Sequence, residues 1–363
     1  MPNQEAVAIV IGDDHDAATG RTGSYFGYWQ NVEIKRSIDT YSTVRFEAPF
    51  EPSRREFRQT FRPFTFQRLQ CLINLETVVT GFCLGIDPSF DPNSRVIEVT
   101  GYAKPAVLHK CTVPPDELGK GIQFNGQSLR AIAERLGATF GIPCDFQHDD
   151  STPFKKCKLE IDKPIQPFLT DLAKQRNCVI TDNPDGELLF WQGVTPGFPV
   201  GTLTEGTAPF TKCEATFSPE DYFSQITGFG KKKRGRKESR WTAQNHWLDK
   251  PLRPYCFKLE DAERADVPEA TLAKMGRMFA DMATWTIPDL PGWRAPNGAI
   301  WEPNTTLLVK AESAMIYLET ELLIRDVILK QTANGDTATL NVVLPGAFSG
   351  KIPEHLPWEE VES

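Results

Sequence analysis

Seven of the ten residues from Lys231 to Arg240 are lysine or arginine, with Gly230 ahead of the run and Gly235 inside it. Such a run suits a phosphate cradle, a grip on a nucleic-acid backbone or contact with an acidic surface. The two glycines have the spacing of a phosphate-binding loop, but Arg236 and Lys237 stand where that loop requires lysine and then serine or threonine. Four successive cations inside the loop would also repel one another without a phosphate present, so the cradle is rejected. Blocks of like charge are more often solvated loops than binding devices. The run is therefore read as a poorly ordered excursion between two strands. Lys231, Lys232, Lys233, Arg234, Arg236 and Lys237 are its candidate contact residues for DNA or a membrane surface.

Other chemistry-bearing residues are scattered. The stretch "GDDHDAATG" offers Asp13, Asp14, His15 and Asp16, but it lacks the spaced acidic order and closing glutamate of a calcium loop, so it reads as a polar loop after the first strand. His109, His148, His246 and His355 form no paired metal motif, and no nucleophile elbow is present. Adjacent carboxylates such as Asp149 and Asp150, or Glu359 and Glu360, cannot face each other across a cleft. The eight cysteines are spread singly with no C-x-x-C pair, which predicts buried or half-buried thiols in a reducing compartment, with no disulfide frame and no zinc site. No enzyme, cofactor or metal centre is expected.

Bulk composition narrows the class. A chain of 363 residues exceeds what one packed core usually serves, so two or three domains are expected. The formal net charge of -8 argues against a protein dedicated to coating DNA. No apolar run is long enough to span a bilayer, and the N-terminus does not read as a signal peptide.

The elements that must position these residues follow from periodicity. Apolar and polar residues alternate in Val32–Ile38, Ser42–Phe50, Arg68–Ile86 and Ser94–Ala103, an antiparallel barrel or sandwich pattern, with a turn over Asp87–Ser94. The period then changes. Leu129, Ile132, Ala133 and Leu136 form one helical stripe; a second helix opens at Pro164 and buries Ile165, Phe168, Leu169 and Leu172. A hairpin turning at Pro184–Gly186 follows. Strands resume at "CEATF" and "YFSQITGFG", a third helix begins at Pro268, and the chain closes on strands with an Asn334-Gly335 turn and a loose polar tail. The block from Pro63 and the block from Pro303 also read alike, each as strand, longer strand with a threonine (Thr80, Thr320), turn and alternating strand.

The expected fold is mainly β with an α+β insert: two tube-like antiparallel β-barrel domains flanking a small α+β domain. The expected boundaries are 1–104, completed by 197–215, for the first barrel; 105–196 for the insert; 216–348 for the second barrel, with a helix over 268–285; and 349–363 for the tail.

The order "SRVIEVTGYAKPAVLHKC", "IQFNGQSLRAIAERLGATFGIP", "KPIQPFLTDLAKQRNCVITDNPDGELLFWQ" and "GAIWEPNTTLLVKAESAMIYLETELLIRDV" resembles the baseplate hub proteins of contractile-tailed bacteriophages of the phage Mu type, which are related in design to T-even phage hubs. The turn Phe124-Asn125-Gly126 and the block Trp301–Asn304 carry part of it. The resemblance implies a homotrimeric ring in the virion baseplate, assembled in the host cytoplasm. It also implies a tail tube protein above the ring, a trimeric central spike below, wedge proteins around it, and tape-measure protein or DNA passing through its channel. A cell-wall hydrolase using Glu134, Asp149 or Asp171 is the rival expectation, and a DNA- or membrane-contacting module at Lys231–Lys237 a third.

Overall fold

The computed structural model describes residues 5–16, 21–118, 122–148, 151–194, 196–230, 239–259 and 266–359. Strands β1 (Val7–Asp16) and β2 (Arg21–Phe26) form a hairpin, followed by β3 (Asn31–Ser37), β4 (Thr43–Pro49), a short helix α1 (Arg55–Thr60), β5 (Arg68–Ile73), β6 (Glu76–Phe90) and β7 (Arg95–Ala103). A 3-10 turn over Lys104–His109 leads into α2 (Pro115–Leu118), α3 (Leu129–Ala138), β8 (Cys144–Phe146), α4 (Ile165–Gln175), β9 (Val179–Asp182) and β10 (Leu188–Trp191). The remainder is β11 (Thr202–Thr204), β12 (Glu214–Phe217), β13 (Gln225–Phe229), β14 (Arg240–Gln244), β15 (Pro254–Lys258), α5 (Asp266–Met282), β16 (Ala283–Pro291), β17 (Thr306–Ala311), β18 (Ile316–Thr332) and β19 (Gly335–Val343). The protein is mainly β, with the helices concentrated in the insert and in α5. No helix among the described residues is long and apolar enough to cross a membrane.

One sheet runs β12-β16-β19-β18-β3-β4-β7-β6-β5-β1-β2, with β17 pairing β18 and β11 pairing β17. The two β-rich parts meet where Val32–Gln331 through Ser37–Asp326 pair antiparallel, and one apolar cluster runs beneath both, from Ile9 and Phe46 to Trp285 and Leu340. The insert has its own cluster around Phe124, Phe154, Phe168 and Phe190, and its own sheet, β8-β10-β9.

The stretches that read alike are both three-stranded meanders. In each, the middle strand is the long one, 15 residues for β6 and 17 for β18. Each middle strand also carries one extra residue against its C-terminal neighbour. Cys83 pairs Gly101 and Gly85 pairs Thr100, which leaves Leu84 bulged; Ile324 pairs Val342 and Asp326 pairs Asn341, which leaves Arg325 bulged. A bulge bends its strand and increases the local twist, so the same device curves both meanders.

Several expectations need correction. Within the run Arg68–Ile86 the turn between the strand and the longer one falls at Asn74 and Leu75, whose φ of 50° and 70° are the left-handed pair of a tight two-residue turn, and no glycine or proline announces it. The next turn is shorter than expected, because β6 continues to Phe90 and only Asp91–Ser94 reverse the chain; the Asp91 N–H donates to the Ser94 carbonyl. Residues 197–215 do not complete the first β unit, since β11 pairs β17 and β12 pairs β16, both in the second. The last helix spans Asp266–Met282, not 268–285, and passes directly into β16. The tail is not loose up to residue 359: Leu356 is buried, the Trp358 ring stands edge-on to Phe217 at 5.2 Å, and the Pro353 carbonyl accepts from Trp247 Nε1 at 2.9 Å.

Candidate assembly surfaces and the buried joint

The basic run is carried by a small sheet ordered β14-β13-β15. The chain leaves at Gly230, whose N–H donates to the Ser239 carbonyl at 2.8 Å, and the return strand pairs Arg240 with Phe229. Helix α5 backs this sheet so closely that a side chain at Gly228 would meet the Thr271 hydroxyl. Lys231, Lys232, Lys233, Arg234, Arg236 and Lys237 themselves lie outside the described residues.

The other sequence candidates are not brought together. Asp13, Asp14, His15 and Asp16 belong to β1 and not to a loop, with His15 opposite Thr22 and Asp16 opposite Arg21; their side chains lie outside those described. Glu134 pairs with Arg130 one turn away at 3.6 Å, and Asp171 pairs with Lys163 at 2.8 Å, each on an exposed helix face. Asp149 lies outside the described residues. His109 contacts Gln166 and His148 contacts Gln192, at separate places. None of the eight cysteines forms a disulfide, and Cys256 is exposed where a buried or half-buried thiol was expected. Among the described residues no group of His, Cys, Asp and Glu could hold a metal ion.

What sequence reasoning missed is the joint that fixes the insert to the main sheet. It lies under the turn between β3 and β4. The Thr181 hydroxyl lies 3.1 Å from the Ser37 carbonyl and 2.6 Å from that of Thr40, the Trp191 ring N–H donates to Ile38, and Asp182 Oδ1 accepts the Ser42 N–H at 2.6 Å. On the other side Asn177 donates to Ser349, and Asn304 both donates to Gln192 and accepts from Val194. Arg325, on the bulge of β18, bridges Asp39 and Asp281 at 3.2 Å each. A joint of paired polar groups, several of them buried, specifies one orientation, because shifting it would strand desolvated donors; the buried Tyr41 hydroxyl within it has no hydrogen-bond partner among the described residues.

Burial pushes Asp182 up to about 6 from an ordinary 3.8, its hydrogen bonds from Ser42 opposing this only in part. Burial, and then the neighbouring Asp182 charge, push the Tyr41 hydroxyl far above its usual range. The folded protein thus holds a proton on Asp182 across an interval where the unfolded chain has released it. This group favours folding fully below about pH 4, and the contribution is lost as pH rises through about 6; two pK units correspond to about 3 kcal/mol. Asp182→Asn retains the acceptor for Ser42 and removes the charge. Urea titrations at pH 4.5 and 7.5 should show the variant gaining on the parent at the higher pH, and parallel pH profiles would contradict this account.

Large apolar side chains left in solvent mark the outer surface. Phe64 and Phe90 are 91% and 86% exposed on the first β unit, and Phe198 is 93% exposed on the strand-poor connection after the insert. A second surface is the groove of about 890 Å³ between the start of β18 and the C-terminal segment, lined by Leu318, Glu319, Glu354 and Leu356 among others.

Comparison with known proteins sets these surfaces in context. Residues 106–192 match the family described as "Baseplate hub protein gp44-like, second domain". Along the whole chain, "Baseplate hub protein gp44" of Escherichia phage Mu is 24% identical over 327 residues, covering 85% of this chain and 82% of that protein. The chain thus carries an insert that matches a Mu-type baseplate hub domain, and as a whole is similar to the Mu hub protein. Its fold recurs in a 43 kDa tail protein of prophage MuSo2 from Shewanella oneidensis (TM-score 0.77, 23% identity, 94% of this chain and 99% of that one). It recurs again in a tail protein from Neisseria meningitidis MC58 (TM-score 0.78, 15% identity, 96% and 99%). The family match begins and ends close to the α+β insert, so the unit that the joint bolts to the sheet is the one whose sequence is most plainly hub-like.

Proposed function

We propose that the chain is a structural baseplate subunit that forms a trimeric ring between a hexameric tail tube and a trimeric central spike, and is not an enzyme. The observation that carries this reading is the pair of bulged meanders, β5-β6-β7 and β17-β18-β19, within one chain. Three chains with two units of like build present six such units around one axis, which lets a threefold object mate with a sixfold one. The shared seam between β3 and β18 supports the same reading, since it holds the two units at a fixed angle. The likeness to the Mu hub supports the setting. In this arrangement the 1–104 and 197–348 units form the ring, the 105–196 unit stands off it, and wedge proteins, tape-measure protein and DNA are its neighbours.

Glu134 and Asp171 stand on different helices, each held in an ion pair, at 3.6 Å to Arg130 and 2.8 Å to Lys163, which supports a structural role over a hydrolase. Light scattering on the purified chain across the micromolar range should give a mass near three times 40.7 kDa. A monomer at every concentration tested would sink the ring.

A further inference from the structure

We propose that the groove between the start of β18 and the C-terminal segment receives the Lys231–Lys237 run of a second copy of this chain; the proposal rests on the self-association put forward above. The groove is an acidic recess. Glu319, Glu321, Glu354 and Glu359 line it, against Lys351 and His355. Glu321 accepts the Gly197 N–H at 2.8 Å, whereas Glu319, Glu354 and Glu359 take part in no ion pair among the described residues. Three exposed carboxylates without cationic partners in one recess favour a cationic occupant, through an attraction that salt should screen.

The walls fit the same occupant. Leu318, half exposed, and the side chains of Ile352 and Leu356 give the recess apolar patches between its carboxylates. Lysine and arginine stems lie along apolar surface while their charged heads reach outward, so a lysine-rich segment uses both features at once. The start of β18 is also open: Tyr317, Leu318 and Glu319 are exposed in succession, although strand residues normally bury alternate side chains.

The occupant comes from another copy because of where the run departs. Gly230 and Ser239 close one end of the β13-β14 pair. The other end, at Gln244 and Asn245, adjoins the groove wall, since Trp247 donates to the Pro353 carbonyl. Strand β14 alone sets the two ends about 17 Å apart. Gly230 and Ser239, which flank a chain's own basic run, thus lie at the strand end remote from its own groove, and the sequence holds no other cluster of cations as dense as this one. Each copy then carries one acidic recess and one basic run, the heterologous pairing that closes into rings.

A fluorescent peptide of sequence GKKKRGRKES, added to a full chain in which residues 231–238 are replaced by glycine and serine, tests the recess directly by anisotropy at 50 and 300 mM salt. Binding at low salt that weakens at least tenfold at high salt, and at least tenfold in the triple variant Glu319→Gln, Glu354→Gln, Glu359→Gln, is expected. No binding at 50 mM salt, or equal affinity for the triple variant, overturns the proposal. Light scattering on the parent chain keeps the two readings apart. A parent trimer whose run-less form binds no peptide overturns the docking and leaves the ring standing; a parent chain that stays monomeric while its run-less form binds the peptide supports the recess and overturns the ring.

Discussion

Gly81→Ala is expected to cost more than about 4 kcal/mol and to leave little soluble protein, a loss well beyond that of most single substitutions. Gly81 lies in β6 opposite Ala103, and a methyl group built on it would sit 1.8 Å from the Tyr102 carbonyl oxygen and 2.9 Å from the Ala103 Cα. Both obstacles are backbone, held by neighbouring rungs of the ladder, so no rotamer change relieves the clash. The strands would have to separate or slip. Slippage by one residue would turn Val79 and Cys83, now buried, toward the opposite face. Gly12→Ala is the control: it too changes a strand glycine, but nothing approaches its added carbon, and its penalty comes from a φ of 104°. Denaturant titrations of any soluble fraction, with circular dichroism of the parent as reference, would read the effect. A Gly81→Ala protein within 1 kcal/mol of the parent, an order-of-magnitude bound set against typical single-site losses, would show that the close approach of β6 and β7 is not as described.

Trp285→Ala should cost about 3–5 kcal/mol. Trp285 is fully buried in β16, donates its ring N–H to the Ala314 carbonyl at 2.9 Å and stands perpendicular to Phe217 at 5.9 Å. Trp358 lies against it at 6.3 Å. Truncation therefore leaves a cavity, an unpaired buried carbonyl and a C-terminal segment without its anchor. Trp285→Phe keeps most of the volume and loses the donor, so it should fall between the two. Limited proteolysis offers a second readout: in the alanine variant, cleavage after Lys351 should precede global unfolding, since the Trp358 ring has lost the indole it packs against. Cleavage at parental rates together with a loss below about 1 kcal/mol would contradict the packing described.

The parts legible in the sequence were those written as periodicity. Leu129, Ile132, Ala133 and Leu136 are all buried on α3, and Ile165, Phe168, Leu169 and Leu172 on α4, because an amphipathic stripe needs no knowledge of its partner. The likeness between the Pro63 and Pro303 blocks was legible for the same reason. The turn at Asn74 and Leu75 was not, since its left-handed backbone is imposed by the pairing of β5 with β6 and not by residue type. Nor was the fate of the C-terminal segment: Leu356 and Trp358 look sparse until Phe217 and Trp285 are placed beside them. The joint escaped because Thr181, Asp182 and Trp191 are ordinary residues that matter only through carbonyls and amides some 140 residues earlier. The acidic groove is likewise assembled from two separate stretches, neither of them charged enough to stand out.

The seam between β3 and β18 also sets a timetable for folding. Its partners stand nearly 300 residues apart in the chain. At synthesis rates of roughly 5–20 residues per second, β3 would emerge from the ribosome about 15–60 seconds before the strand that covers it. During that time β4 protects one side of β3 and nothing native protects the other, leaving an open strand edge that can recruit the wrong partner. The charged residues Glu33, Lys35 and Arg36 on β3 suit this interval, because a foreign strand that stacks on the open edge must crowd and desolvate them.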